Sequence, residues 1–122
     1  MTFKLTASLT AGLFFYLAAV LLITPATHMG FLGITPDAGG IAMGRRTAPA
    51  FFAIAILLWL MRDEAVGMFR AKLSMAVTVM MVVVAAIGIH AYATGAASSA
   101  ILGAVAVEAL VALGFIRFAM GR

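Results

Sequence analysis

Residues 73–93, LSMAVTVMMVVVAAIGIHAYA, contain no acidic, lysine or arginine side chain. A helix crossing a bilayer needs about 20 consecutive apolar residues, because the hydrocarbon core is about 30 Å thick. This stretch meets that requirement alone, and it decides the class of fold. The surrounding composition agrees: 66% of the 122 residues are hydrophobic and 10% are charged. Average soluble domains carry about a quarter charged residues, and a chain this short leaves much of its surface outside the core. Lipid is the solvent that resolves the excess, and the length allows a single domain over 1–122.

Working outward, 64–72 is too polar for lipid and reads as an interfacial turn or helical extension. On the other side Thr94-Gly95 ends the helix and Ser98 or Ser99 caps the next, predicting a span over 98–120. The short connection makes these two a tight antiparallel hairpin. Towards the N-terminus, 5–24 is a third apolar run, stopped by Pro25. Lys4, this run and Thr24-Pro25-Ala26 imitate a secretory signal. The run is longer than the usual apolar core of about 7–15 residues, and Pro25 falls in the would-be cleavage site, so a retained helix is expected.

The remaining span is less plain, since 47–61 is too short by itself. Thr35-Pro36-Asp37 offers a capping hydroxyl, a proline at the first helical position and an acid against the helix dipole. The helix is therefore placed at 36–61, with Arg45 and Arg46 inside it and Pro49 kinking it. His28, Gly30 and Gly33 are left in an outer loop. Trp59 fits an interfacial anchor near the inner end. No internal repeat or low-complexity tract accompanies the four spans.

Orientation follows the lysine and arginine bias. Lys4, Arg62, Arg70, Lys72, Arg117 and Arg122 flank one side, against Arg45 and Arg46 on the other. The expectation is an all-α, four-helix antiparallel bundle in the bacterial inner membrane with both termini cytoplasmic. The net charge of +4 serves topology and headgroups. No basic stripe with interleaved aromatics points to nucleic acid.

Ionisable groups inside a membrane are costly and normally face the bundle interior. Glu108 stands about 15 Å into a helix begun at Ser98. Ala100, Ala104, Glu108 and Ala112 recur every fourth position, a small-residue stripe with a carboxylate in its middle. Arg46 lies about as deep in its own helix, with Arg45 one residue shallower, so an arginine–carboxylate pair is expected. The other form is a neutral Glu108 donating a hydrogen bond. His90 near the end of the third span and Tyr16 in the middle of the first complete a cluster with one member per helix. Such a cluster either locks the helices in register or works as a ligand or proton site.

Other chemistry finds little footing. There is no cysteine, hence no disulfide or thiolate metal site. No HxxxH or ExxH spacing exists, and the nine methionines read as packing residues, so neither a metal nor a cofactor is expected. Ser8, Ser74 and Thr78 have no accompanying base, and no catalytic residue is assigned. His28 reads as a solvated loop residue. Gly40-x-x-x-Gly44 has helix-packing spacing, against the first helix or another subunit.

The Pro-ended first span, the Arg45-Arg46 pair and the hairpin carrying Glu108 and Arg117 resemble, in architecture, small four-helix bacterial inner-membrane proteins of the DoxX-like group. That resemblance spans nearly the whole chain and carries over no residue roles. The leading expectation is a non-enzymatic accessory or assembly subunit of a larger membrane complex, partnered by lipid and by other subunits or itself. The alternatives are a small oligomeric transporter or channel using Glu108, Arg46 and His90, and a binder of lipid or quinone in an outward cleft.

Overall fold

The computed structural model describes residues 1–121. Five helices and no strand occur among them: α1 Phe3–Ile23, α2 Pro25–Phe31, α3 Ala38–Leu60, α4 Met68–Ala93 and α5 Ile101–Ala119. Four of these (α1, α3, α4 and α5) are long and apolar enough to cross a membrane.

The helix boundaries have local causes. The Thr2 hydroxyl caps α1 by accepting from Leu5 N at 3.3 Å. Asp37, not Thr35, caps α3, its carboxylate accepting from Gly40 N at 2.5 Å. A carboxylate at that position satisfies a free N–H and faces the positive end of the helix dipole. The helix runs unbroken through Pro49. α5 begins at Ile101 after Ala100, which makes no side-chain cap bond; the Ser98 hydroxyl accepts from Ala100 N at 3.3 Å, one turn position earlier than a cap of the helix itself. The region expected as an outer loop contains α2, with Pro25 at its first turn. A proline there loses no hydrogen bond and presets the helical φ.

The helices associate as two hairpins. α1 packs along α3 and α4 along α5, while α1 alone bridges the pairs by a sparser contact with α5. Among the described residues the backbones of α3 and α4 do not approach each other. Small residues set the close crossings. A Cβ on Gly88 would lie 2.6 Å from Val105 Cγ2, and one on Gly114 would lie 3.2 Å from Thr6 Cγ2. Gly44 sits against Leu21 and Pro25, and Gly40 against Met29, so the GxxxG face meets the end of α1 and the short helix α2. Without a hydrophobic force between helices in lipid, such approaches supply packing contact.

Packing is uneven along the molecule. Near the N-terminus the core is aromatic and full: Phe3 meets Phe115 and Phe118 edge to face, at 6.2 and 5.3 Å between centroids. Phe14, Leu58, Met81 and Phe115 continue it. The basic residues gather at the same end. Lys4 pairs with Asp63 at 2.7 Å, Arg70 lies over the rings of Phe3 and Phe118, and Arg117 donates to the Met1 carbonyl. The Lys4 hydrogen bond holds the Asp63 carboxyl below the usual carboxylate range. Arg62 stacks on Trp59 at 3.9 Å and donates to its carbonyl, fixing the ring at this end.

At the opposite end a single tie joins the hairpins. Ser98 N donates to the Leu32 carbonyl at 2.9 Å, and the Ser98 hydroxyl donates to the same oxygen at 3.2 Å. Gly33, at φ 72°, allows this approach. A Cβ there would lie 2.8 Å from Ser98 N and collide with Ser98 Cβ.

A candidate ligand cavity between the hairpins

Glu108 faces inward, as the stripe of alanines implied, but without the expected partner. Its Oε2 is sealed from solvent and has no hydrogen-bond partner. Among the described residues, the ion pairs are Lys4–Asp63 and Arg62–Asp63; neither Arg45 nor Arg46 reaches Glu108. Helix register explains this. Gly44 touches Leu21 and Pro25, so Arg45 and Arg46 stand level with the last turn of α1. Glu108 stands lower, since Gly114, six residues on, meets Thr6. The offset is about 10 Å along the bundle at 1.5 Å per residue, more than an arginine side chain can span with its head in place. The later start of α5 also reduces the depth of Glu108 to about 10 Å from Ile101.

The remaining members of the expected cluster are likewise apart from it. Tyr16 is 61% exposed. It lies about 200° around the axis from both Phe14 and Ala18, which face the core. His90 is exposed for the same reason, being two residues beyond buried Gly88. Arg45 and Arg46 are both exposed. The structure therefore does not bring Glu108, Arg46, Arg45, His90 and Tyr16 together.

It brings Glu108 together with a different side chain. A cavity of about 390 Å³ opens between the hairpins in the half away from the aromatic core. Leu17 and Leu21 of α1, Met81 and Gly88 of α4, and Ala104 and Glu108 of α5 all line it. His28 and Leu32 line it from α2 and its end, so the Leu32–Ser98 tie lies at the same level. His28 is half-buried, and burial pushes its imidazole pKa down. In the sequence His28 looked like a loop residue. The available signal was Pro25 after Thr24, which makes 25–31 helical and puts His28 three residues on, beside the buried Pro25.

The hollow has a cause in composition. Gly88, Ala91 and Ala104 stand where Phe3, Phe115 and Phe118 fill the other half. Chemically the lining offers an apolar wall with one carboxyl and one imidazole. Two buried hydroxyls of α4 are already engaged: Ser74 donates to Arg70 O and Thr78 to Ser74 O, each at 2.8 Å. Such i−4 bonds satisfy a hydroxyl within its own helix. No group of His, Asp and Glu able to hold a metal occurs among the described residues.

No family model, curated protein or solved structure matches the chain. The site must be read from its own residues. Cavities of about 300–1,000 Å³ with apolar walls and a few convergent polar groups are the usual form of a small-molecule site.

Proposed function

We propose that this chain is a non-enzymatic, multi-pass inner-membrane protein that holds an amphipathic small molecule of the lipid or quinone class between its hairpins. The observation that carries this is an apolar cavity lined by Glu108 and His28, with Glu108 Oε2 buried beside it and without a partner. A buried polar atom without a partner costs about 1–3 kcal/mol. A ligand with a hydroxyl or carbonyl head removes that penalty once the Glu108 side chain turns its carboxyl towards it, while its apolar part fills the space beside Leu17 and Met81. His28 stands at the outer end as a second hydrogen-bonding group.

The bundle is antiparallel with both termini cytoplasmic in this reading. It is supported by Lys4, Arg62, Arg70 and Arg117 gathering around the Met1 end, where positive charge is retained on the cytoplasmic side. A second reading, an accessory subunit of a larger membrane complex, is favoured by Gly12 and Gly103. A Cβ on either would meet nothing within 4 Å, so a foreign helix has room to approach the backbone. Co-purification with other chains in mild detergent separates it from the first.

The test of the ligand reading is organic extraction of the purified protein followed by mass spectrometry. Wild type carries one amphipathic species in near-stoichiometric amount. Glu108→Leu, which removes the orphan oxygen's need, and Ala104→Phe, which fills the cavity, both lose it. A wild type that carries nothing beyond bulk lipid, or an A104F variant that retains the species, overturns the reading.

A further inference from the structure

A second apolar recess lies on the outside of the first hairpin and shares no lining residue with the cavity. It is a groove of about 510 Å³ between α1 and α3, lined by Phe15, Ala19 and Leu22 on one side and Ala48, Pro49 and Phe52 on the other. Its width comes from the small residues at Ala18, Ala19 and Ala48. The edge contact of Phe15 with Phe52, 5.5 Å between centroids, closes one end.

The other end is basic. Arg45 precedes Ala48 and Pro49 by three and four residues, so it continues the same face of α3 one turn beyond the groove. Arg46 is beside it. Both are exposed, and neither forms an ion pair or a side-chain hydrogen bond among the described residues. Because Gly44 meets Leu21 and Pro25, these arginines stand level with the last turn of α1. The ends of a spanning helix lie near the headgroups, beyond the acyl region.

We propose that this groove is a binding site for an anionic phospholipid, with an acyl chain in the recess and the phosphate on Arg45 and Arg46. The two halves of the site match the two halves of one molecule. The distance from Arg45 to Phe52 is seven residues, about 10 Å of helix, enough for the upper part of a chain. Guanidinium groups bind phosphate oxygens through paired N–H donors, and two adjacent arginines favour a net negative headgroup over a zwitterionic one. A second protein is a poorer occupant, since a helix laid in the groove would also have to supply acid for both arginines.

The experiment is native mass spectrometry of the full chain ejected from nanodiscs containing equal parts phosphatidylglycerol and phosphatidylcholine. Wild type retains phosphatidylglycerol in preference. A juxtamembrane basic residue contributes about 1 kcal/mol to anionic-lipid binding, so Arg45→Gln with Arg46→Gln lowers that retention by about 30-fold and either alone by about fivefold. Ala19→Phe fills the groove from an exposed position and loses the lipid with both charges intact. Lys72→Gln, a cation at the far end, leaves retention unchanged. Added glycerol phosphate does not displace the lipid.

Equal retention of the two lipids, an arginine double variant that behaves as wild type, or loss on K72Q overturns the proposal. Displacement by glycerol phosphate also overturns it, since the groove would then play no part. Because none of these substitutions touches the cavity, extraction of its ligand reads the other site independently.

Discussion

The Leu32–Ser98 tie gives the sharpest prediction, because one pair of glycines separates backbone strain from collision. Gly33 and Gly95 have nearly the same left-handed φ, 72° and 75°. A Cβ on Gly95 would meet nothing within 4 Å, whereas one on Gly33 would overlap Ser98. Placing an L-residue in that conformation costs about 1–2 kcal/mol, partly offset by about 0.4–1 kcal/mol from a stiffer unfolded chain. Gly95→Ala is therefore destabilising by about 1 kcal/mol or less. Gly33→Ala adds overpacking, about 1–3 kcal/mol, because its neighbours include Ser98 backbone nitrogen and cannot simply rotate away. The total for G33A comes to about 1–4 kcal/mol. Reversible unfolding in mixed micelles, followed by circular dichroism as denaturing detergent is raised, measures both. The Gly33→Ala, Ser98→Gly double variant removes the side-chain part of the collision and recovers some of the difference. If G33A and G95A unfold together, the hairpins are not held at Leu32–Ser98 and the roof of the cavity is placed wrongly.

Two further outcomes follow from packing and charge. Gly88→Val drives a branched side chain into Val105 and costs about 1–3 kcal/mol in the same unfolding assay; Val105→Ala restores much of it, and failure of that rescue would show that α4 and α5 do not cross there. His28 sets a pH dependence: its imidazole titrates near 6.5 when unfolded and lower when folded, because burial disfavours the charged form. Between those two values the unfolded chain binds more protons, so stability is full above about 6.5 and falls as pH drops towards the folded value. His28→Phe flattens this part of the profile of melting temperature against pH, and an unchanged slope in H28F would refute the assignment.

The candidate site was half legible in the sequence. Glu108 was readable as inward-facing because its alanine stripe repeats at helical spacing and a lipid-facing carboxylate is too costly. Its partner was not readable. Pairing with Arg46 assumed that both helices begin at the same level, and seven residues of α2 together with the loop to Asp37 raise the first turns of α3 above the end of α1. Tyr16 and His90 were assigned by depth alone, and depth carries no information about azimuth. His28 reads as a solvated loop residue because a short helix after a proline looks like a loop until its neighbours bury it.

By itself the sequence determined the four apolar helices, because a backbone in lipid must satisfy its own hydrogen bonds and each segment does so locally. It determined, too, that polar residues are few and that most stand at helix ends. Only the tertiary structure decided which faces meet, how far one helix slides along the next, and where the small residues leave a hollow instead of a contact. Those quantities depend on side chains from different helices at once, so Glu108 acquires its meaning from Gly88, Leu17 and His28 around the cavity, and Arg45 from a groove built half by α1.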